Sequence, residues 1–191
     1  MSHVTERAGF VFFWSGWPSQ WYPAVFAIDG VTYSCTEQFM MAEKARLFGD
    51  KATRRLILKA QHPAEQKALG RTVTPFDEAR WTNACREIVY QGNLAKFEQN
   101  ADLRELLLAT ENKTLVEASP KDRIWGIGLA ADDPRATKRS AWRGKNWLGE
   151  VLMRVRADLR ARAVDANPER RPEEISTQSR RDAKTQKGKR G

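Results

Sequence analysis

Glu37, Met41 and Lys44 stand at i, i+4 and i+7 within Ser34–Lys44, SCTEQFMMAEK, the spacing that stacks side chains along one stripe of an α-helix. An acid and an amine on one face, set among Phe39, Met40 and Met41, can do proton-transfer and nucleophilic chemistry. Desolvation raises a carboxyl's pKa toward the range where it shuttles protons near neutrality. A neutral lysine amine can attack a carbonyl carbon to form a Schiff base, whereas a charged one holds an anion, with Glu37 offsetting the cost of burying it. The same residues have a purely structural reading. Ser34 followed three positions later by Glu37 fits a capping box, in which Glu37 satisfies a backbone N–H at the helix start.

A second group lies downstream. Asp122 and Trp125 are three residues apart just before Gly126-Ile127-Gly128, so a carboxylate and an aromatic face can sit beside backbone that tolerates close approach of a ligand. Trp125 is either a stacking platform for a planar base or a core residue; Asp122 is either a proton or hydroxyl partner or a turn residue. Trp81, on an amphipathic helix, is a weaker candidate for the wall of a site. Asn146, after Gly144-Lys145, is placed to cap the last helix, whose N-terminus also suits an anionic phosphate.

These residues need elements to position them. Phe10–Trp14 reads as a buried strand, and Trp-rich, irregular chain follows from Gly16 to Pro23. Residues 24–28 and 31–33 flank Asp29-Gly30, the turn chemistry of a β-hairpin. The hairpin leads into the helix carrying Glu37, which runs to about Phe48 with Gly49 as its stop and Asp50 as the next N-cap. That next helix extends through Lys59, and His62-Pro63 opens another ending near Gly70. Thr74-Pro75 predicts a long helix with Thr74 as N-cap, continuing past a Gly92 bend to Asn100. Asp102–Ala109 predicts a helix with Leu103, Leu106 and Leu107 in the core, and Leu115–Ala118 a short strand. Ser119–Lys145 lacks periodicity and reads as loop, a length that is usually functional. The final helix is expected from Asn146 to Ala163. The fold class is α+β, predominantly helical: one compact domain over 10–163 with a small N-terminal β-hairpin, then a disordered tail over 164–191.

The chain has 191 residues, with 33 Lys and Arg against 24 Asp and Glu, and the basic excess concentrates in Gln178–Gly191, QSRRDAKTQKGKRG. That tail is either a solubilising, poorly ordered terminus or a nonspecific polyanion contact. No apolar run approaches the roughly 20 residues that span a bilayer, and no signal peptide is visible, so a cytoplasmic protein with no membrane partner is expected. Cys35 and Cys85 read as reduced, buried small groups. With only His3 and His62 as histidines, no metal and no cofactor are expected, and Asp132-Asp133 is the remaining cation candidate.

Taken in order, the aromatic strand, SCTEQFMMAEK, Trp81 with Arg86, KFEQNADLRELLLAT, DRIWGIGL and WRGKNWLGEVLMRVR resemble the NADAR superfamily, also called YbiA-like, over Phe10–Leu159. The resemblance implies a compact, mostly helical domain and hydrolysis of an N-glycosidic bond between ribose C1 and an exocyclic nitrogen. Implied substrates are phosphoribosylamino-pyrimidine intermediates of riboflavin biosynthesis, releasing ribose 5-phosphate, or ADP-ribosylated guanine in DNA. A third reading is a module that binds ADP-ribose or a nucleotide without turnover. The partners are then a phosphoribosyl or ADP-ribosyl small molecule, with nucleic acid added through the tail. Implied catalytic residues are Glu37, Lys44 and Asp122; implied substrate-binding residues are Trp125, Gly126, Trp81, Asn146 and Gln20. At Ser19-Gln20-Trp21 the chain departs from the family's frequent Ser-Asn-Phe, and Ala130–Ala141 is an extended, charged insertion.

Overall fold

The structure, a computed structural model, describes residues 4–166. The expected tail at 164–191 therefore lies outside the described residues, apart from the helical backbone of 164–166. In chain order the elements are β1 (Val4–Arg7), β2 (Phe10–Phe13), β3 (Phe26–Ile28), β4 (Val31–Tyr33), α1 (Thr36–Leu47), α2 (Lys51–Lys59), α3 (Pro63–Arg71), α4 (Glu78–Gln99), α5 (Ala101–Ala109), β5 (Thr114–Glu117) and α6 (Trp147–Ala166), with one 3-10 turn at Arg139–Ala141. The α+β, mainly helical class read from the sequence is the observed one.

The Asp29-Gly30 hairpin forms as expected, joining β3 to β4 with both turn residues at positive φ, 50° and 75°. A second sheet has the order β1-β2-β5. In it β2 pairs antiparallel with β1 and parallel with β5, with Phe13 opposite Glu117. Alternate residues of β2 face opposite sides. Val11 and Phe13 join the main core with Leu115, while Phe12 joins Val116, Ile127, Leu129 and Ala136 beneath the long loop. Covering both faces explains why FVFF carries no polar alternation.

Helix α1 is buried nearly all round, at Thr36–Ala42, Glu43 and Ala45, and packs on α2, α3 and α4. Its Gln38 amide donates to the carbonyls of Ile57, Leu58 and Ala60 at 3.1–3.3 Å, satisfying acceptors that the end of α2 leaves open. Gly92 of α4 packs on Phe39: a Cβ there would meet the ring at 2.6 Å. Truncating Phe39 would therefore cost on the order of 3–5 kcal/mol.

Two expectations are corrected and one strand is added. Helix α4 begins at Glu78, because the Asp77 side chain accepts from Arg80 N at 2.6 Å while Thr74 N is held by Asp50 Oδ2 at 3.1 Å. Leu106 is exposed, since only the Leu103 and Leu107 side of α5 meets the core. β1 is an additional edge strand; its mostly exposed VTER sequence carries little hydrophobic signal. Both cysteines are free and buried.

Candidate active site

The start of α1 is closed by Gln38, not Glu37. Cys35 occupies the N-cap without a side-chain bond, and Gln38 Oε1 accepts from Ser34 N at 2.8 Å and from Ser34 Oγ at 3.2 Å. Glu37 N and Thr36 Oγ1 both donate to the Gln20 carbonyl, at 3.0 and 3.1 Å. This correction to the capping box frees the Glu37 carboxyl. It is 4% exposed, yet it lines a cavity of about 590 Å³ together with Gln20, Met40, Met41, Trp81, Asp122 and Trp125. Burial pushes its pKa up to about 6 against the pull of Lys67 and a hydrogen bond from the Trp21 side chain; Asp122 raises it further and Arg71 lowers it.

The opposite wall comes from β5 and the loop after it. Asp122 Oδ1 accepts from Ile124 N and Trp125 N, both at 2.8 Å. Asp122 therefore shapes its own turn, the structural role read from the sequence, while also lining the cavity. Gly126 permits close backbone approach, but to protein: a Cβ there would stand 2.8 Å from the Glu117 carbonyl. Trp125 packs edge-on against Trp147 at 5.9 Å and presents its remaining surface to the cavity alongside Trp81.

Gln20 belongs to the wall, with Nε2 3.4 Å from Met40 Sδ and a buried Oε1 that lacks a partner. Lys44 and Asn146 do not line this cavity. Lys44 Nζ donates to the Gly70 carbonyl at 2.7 Å and lies over the Phe76 and Trp81 rings at 4.4 and 5.6 Å. Burial lowers its pKa. Asn146 at φ 56° spends its side chain on β5, accepting from Glu117 N at 3.0 Å and donating to Leu115 O at 2.9 Å. The side chain is thus a strand anchor. Asp133 pairs with Arg135 at 2.7 Å. Among the described residues, no group of three or more His, Cys, Asp and Glu side chains is arranged to hold a metal ion.

Several site residues escaped sequence reasoning. Lys67 and Arg71 line the cavity, as do Glu117 and Lys121. The i, i+4 spacing of Lys67 and Arg71 on α3 was an available signal for one basic face. Glu117 offered none, being one acid at the end of a short apolar run. A second cavity, of about 740 Å³, shares Ser19, Trp21, Lys67, Arg71, Glu117, Lys121 and Asp122 with the first and adds Trp14, Ser15 and Ser119. Trp14 is 62% exposed there.

Fold and site together define a buried acid–indole cleft with a cationic wall. The family model described as NADAR domain matches residues 12–160, and the chain belongs to this family. It is 45% identical over 145 residues to an N-glycosidase of Acanthamoeba polyphaga mimivirus, an alignment spanning 73% of this chain and 85% of that one. It is 33% identical over 132 residues to the N-glycosidase YbiA of Escherichia coli, spanning 69% and 74% of the two chains. The NMR structure of E. coli YbiA superposes with a TM-score of 0.68 at 28% identity, covering 86% of this chain and 89% of the other.

Proposed function

We propose that the chain hydrolyses the bond between C1 of a ribose and an exocyclic amino nitrogen of a heterocyclic base. The reaction class is carried by its relatives: the chain is an N-glycosidase, a hydrolase of N-glycosyl bonds. One observation supports the finer reading, namely that a single cavity sets the carboxylates Glu37 and Asp122 and the indoles Trp81 and Trp125 beside Lys67 and Arg71. The indole faces suit a planar base, and the cations suit a phosphate on the sugar. Glu37, poised near pH 6, takes a proton from water as the bond at C1 opens, and Asp122 accepts from a sugar hydroxyl. The favoured substrates are phosphoribosylamino-pyrimidine intermediates of riboflavin biosynthesis, with release of ribose 5-phosphate.

A second substrate reading is ADP-ribose on the amino group of guanine in DNA. The adjoining cavity favours it, because the exposed Trp14 beyond the shared wall, together with Lys121 of that wall, offers a further aromatic face and a cation for a second nucleotide. The basic sequence 178–191 suits a nucleic-acid partner, and lies outside the described residues. A covalent branch through Lys44 is favoured by burial, which enlarges the neutral fraction of its amine. That branch requires Nζ to leave the Gly70 carbonyl. Borohydride added during turnover traps a Lys44 adduct if the branch operates and leaves the protein mass unchanged if it does not.

Incubation with both substrate classes, with mass detection of the released sugar, tests the reading. Ribose 5-phosphate from the pyrimidine substrate supports the first and ADP-ribose from modified DNA the second. Tight binding without product from either would establish a binding module instead.

A further inference from the structure

We propose that Glu117 is the acid that protonates the departing exocyclic nitrogen, a catalytic role separate from that of Glu37. The assignment rests on the glycosidase reading above. Glu117 ends β5 and lies in the wall common to both cavities. Its backbone is fixed on several sides. Its N–H donates to Asn146 Oδ1 at 3.0 Å, its carbonyl accepts from Ile127 N at 2.9 Å, and its strand neighbour is Phe13.

The carboxyl itself is uncommitted. Oε2 of Glu117 is enclosed and has no hydrogen-bond partner, whereas Asp122 Oδ1 is occupied by two backbone N–H groups and Glu37 is held by Trp21. Buried polar atoms are rarely left without a partner, so an unpartnered oxygen on a carboxyl that lines a cavity marks a group kept for chemistry rather than for the fold.

The charged groups that act on Glu117 are Asp122 on its own loop, Glu37 on α1 and Lys67 on α3, and Arg71 of α3 and Lys121 line the same cavities. Desolvation, with the two neighbouring carboxylates, favours the neutral acid. Burial first, then Asp122 and Glu37, against the pull of Lys67, push Glu117 up to about 8, while Glu37 sits at about 6. Near neutral pH the first is mainly COOH and the second mainly carboxylate, the separation that assigns acid and base within one site. As the C1–N bond breaks, its electron pair stays on nitrogen, which takes the Glu117 proton. Water attacks C1 as Glu37 removes its proton, giving the free sugar and the amine. Exchange with solvent then returns the proton from Glu37 to Glu117.

The test compares wild type, Glu117→Gln and Glu117→Asp on two substrates: a phosphoribosylamino-pyrimidine, and p-nitrophenyl riboside 5-phosphate, whose leaving group departs as an anion. Glu117→Gln is expected to lose about 10²–10⁴-fold in kcat on the first and only a few-fold on the second. The basic limb of kcat/KM near pH 8 disappears in Glu117→Gln and is retained in Glu117→Asp. Equal loss on both substrates, or no loss on the first, overturns the assignment. Wild type that cleaves neither substrate overturns the glycosidase reading instead, so the two failures are distinguishable.

Discussion

Lys96, fully buried on α4, donates from Nζ to the carbonyl of Trp17 at 2.7 Å and to that of Ser19 at 3.1 Å. These bonds hold the loop that delivers Gln20 and Trp21 to the cavity. Burial lowers the amine from 10.5 to about 7. A neutral amine still offers two N–H donors, one for each carbonyl. The folded state thus binds fewer protons than the unfolded one between about pH 7 and 10.5, and the contribution of Lys96 to stability rises with pH across that window and is lost as the pH falls through 7. Lys96→Met is expected to lower stability by about 1–3 kcal/mol, the cost of the stranded acceptors. Thermal melts at several pH values should show its deficit against wild type growing from pH 7 to 10.

Glu37 has the opposite dependence. Its pKa is raised from 4.5 to about 6 in the fold, so the stability associated with its protonated form is fully present below pH 4.5 and lost as the pH rises through 6. Glu37→Gln should melt higher than wild type at pH 7.5 while losing about 10²–10⁴-fold in kcat. A lower melting temperature together with normal turnover would remove Glu37 from the mechanism. The acid limb of the wild-type rate profile should fall near pH 6.

Lys67 and Arg71 make none of the salt bridges found among the described residues, and they line both cavities. Replacing either with Ala should raise KM for a phosphorylated ribosylamine by about 10–100-fold, corresponding to a lost hydrogen bond to a charged group. The dephosphorylated substrate should be cleaved equally by variant and wild type. An equal penalty on both substrates would show that these cations serve something other than phosphate.

Gly126→Ala separates packing from ligand contact. The new methyl would meet Glu117 O at 2.8 Å, Asp122 O at 3.1 Å and Ser119 Cβ at 3.1 Å. Such overpacking costs about 1–3 kcal/mol, read as a drop in urea midpoint. An unchanged midpoint with abolished substrate binding would restore the contact role inferred from the Gly126-Ile127-Gly128 sequence.

Local chemistry was the legible part of this chain. Asp29-Gly30 announces its hairpin, Gly49-Asp50 marks one helix end and the next start, and Glu37, Asp122, Trp81, Trp125 and Gln20 do converge on one cavity. What the sequence hid was decided by partners far along the chain. Whether Asn146 faces a ligand or a strand depends on Leu115 and Glu117 lying beside it. The reach of Lys44 is set by the Gly70 carbonyl. Glu117 becomes a site residue only because β5 lies parallel to β2, a pairing that no local periodicity encodes.

That parallel pairing also sets the order in which the protein can come into being. Strand β2 emerges well before its mate β5, which follows only after every helix from α1 to α5. Until then Val11 and Phe13 have no neighbour on that edge, and the cleft lacks Glu117, Asp122 and Trp125. Nascent chains arrested before residue 117 should therefore be devoid of activity however well their helices have formed, and a break in the polypeptide anywhere between the two strands leaves assembly to depend on the fragments finding each other.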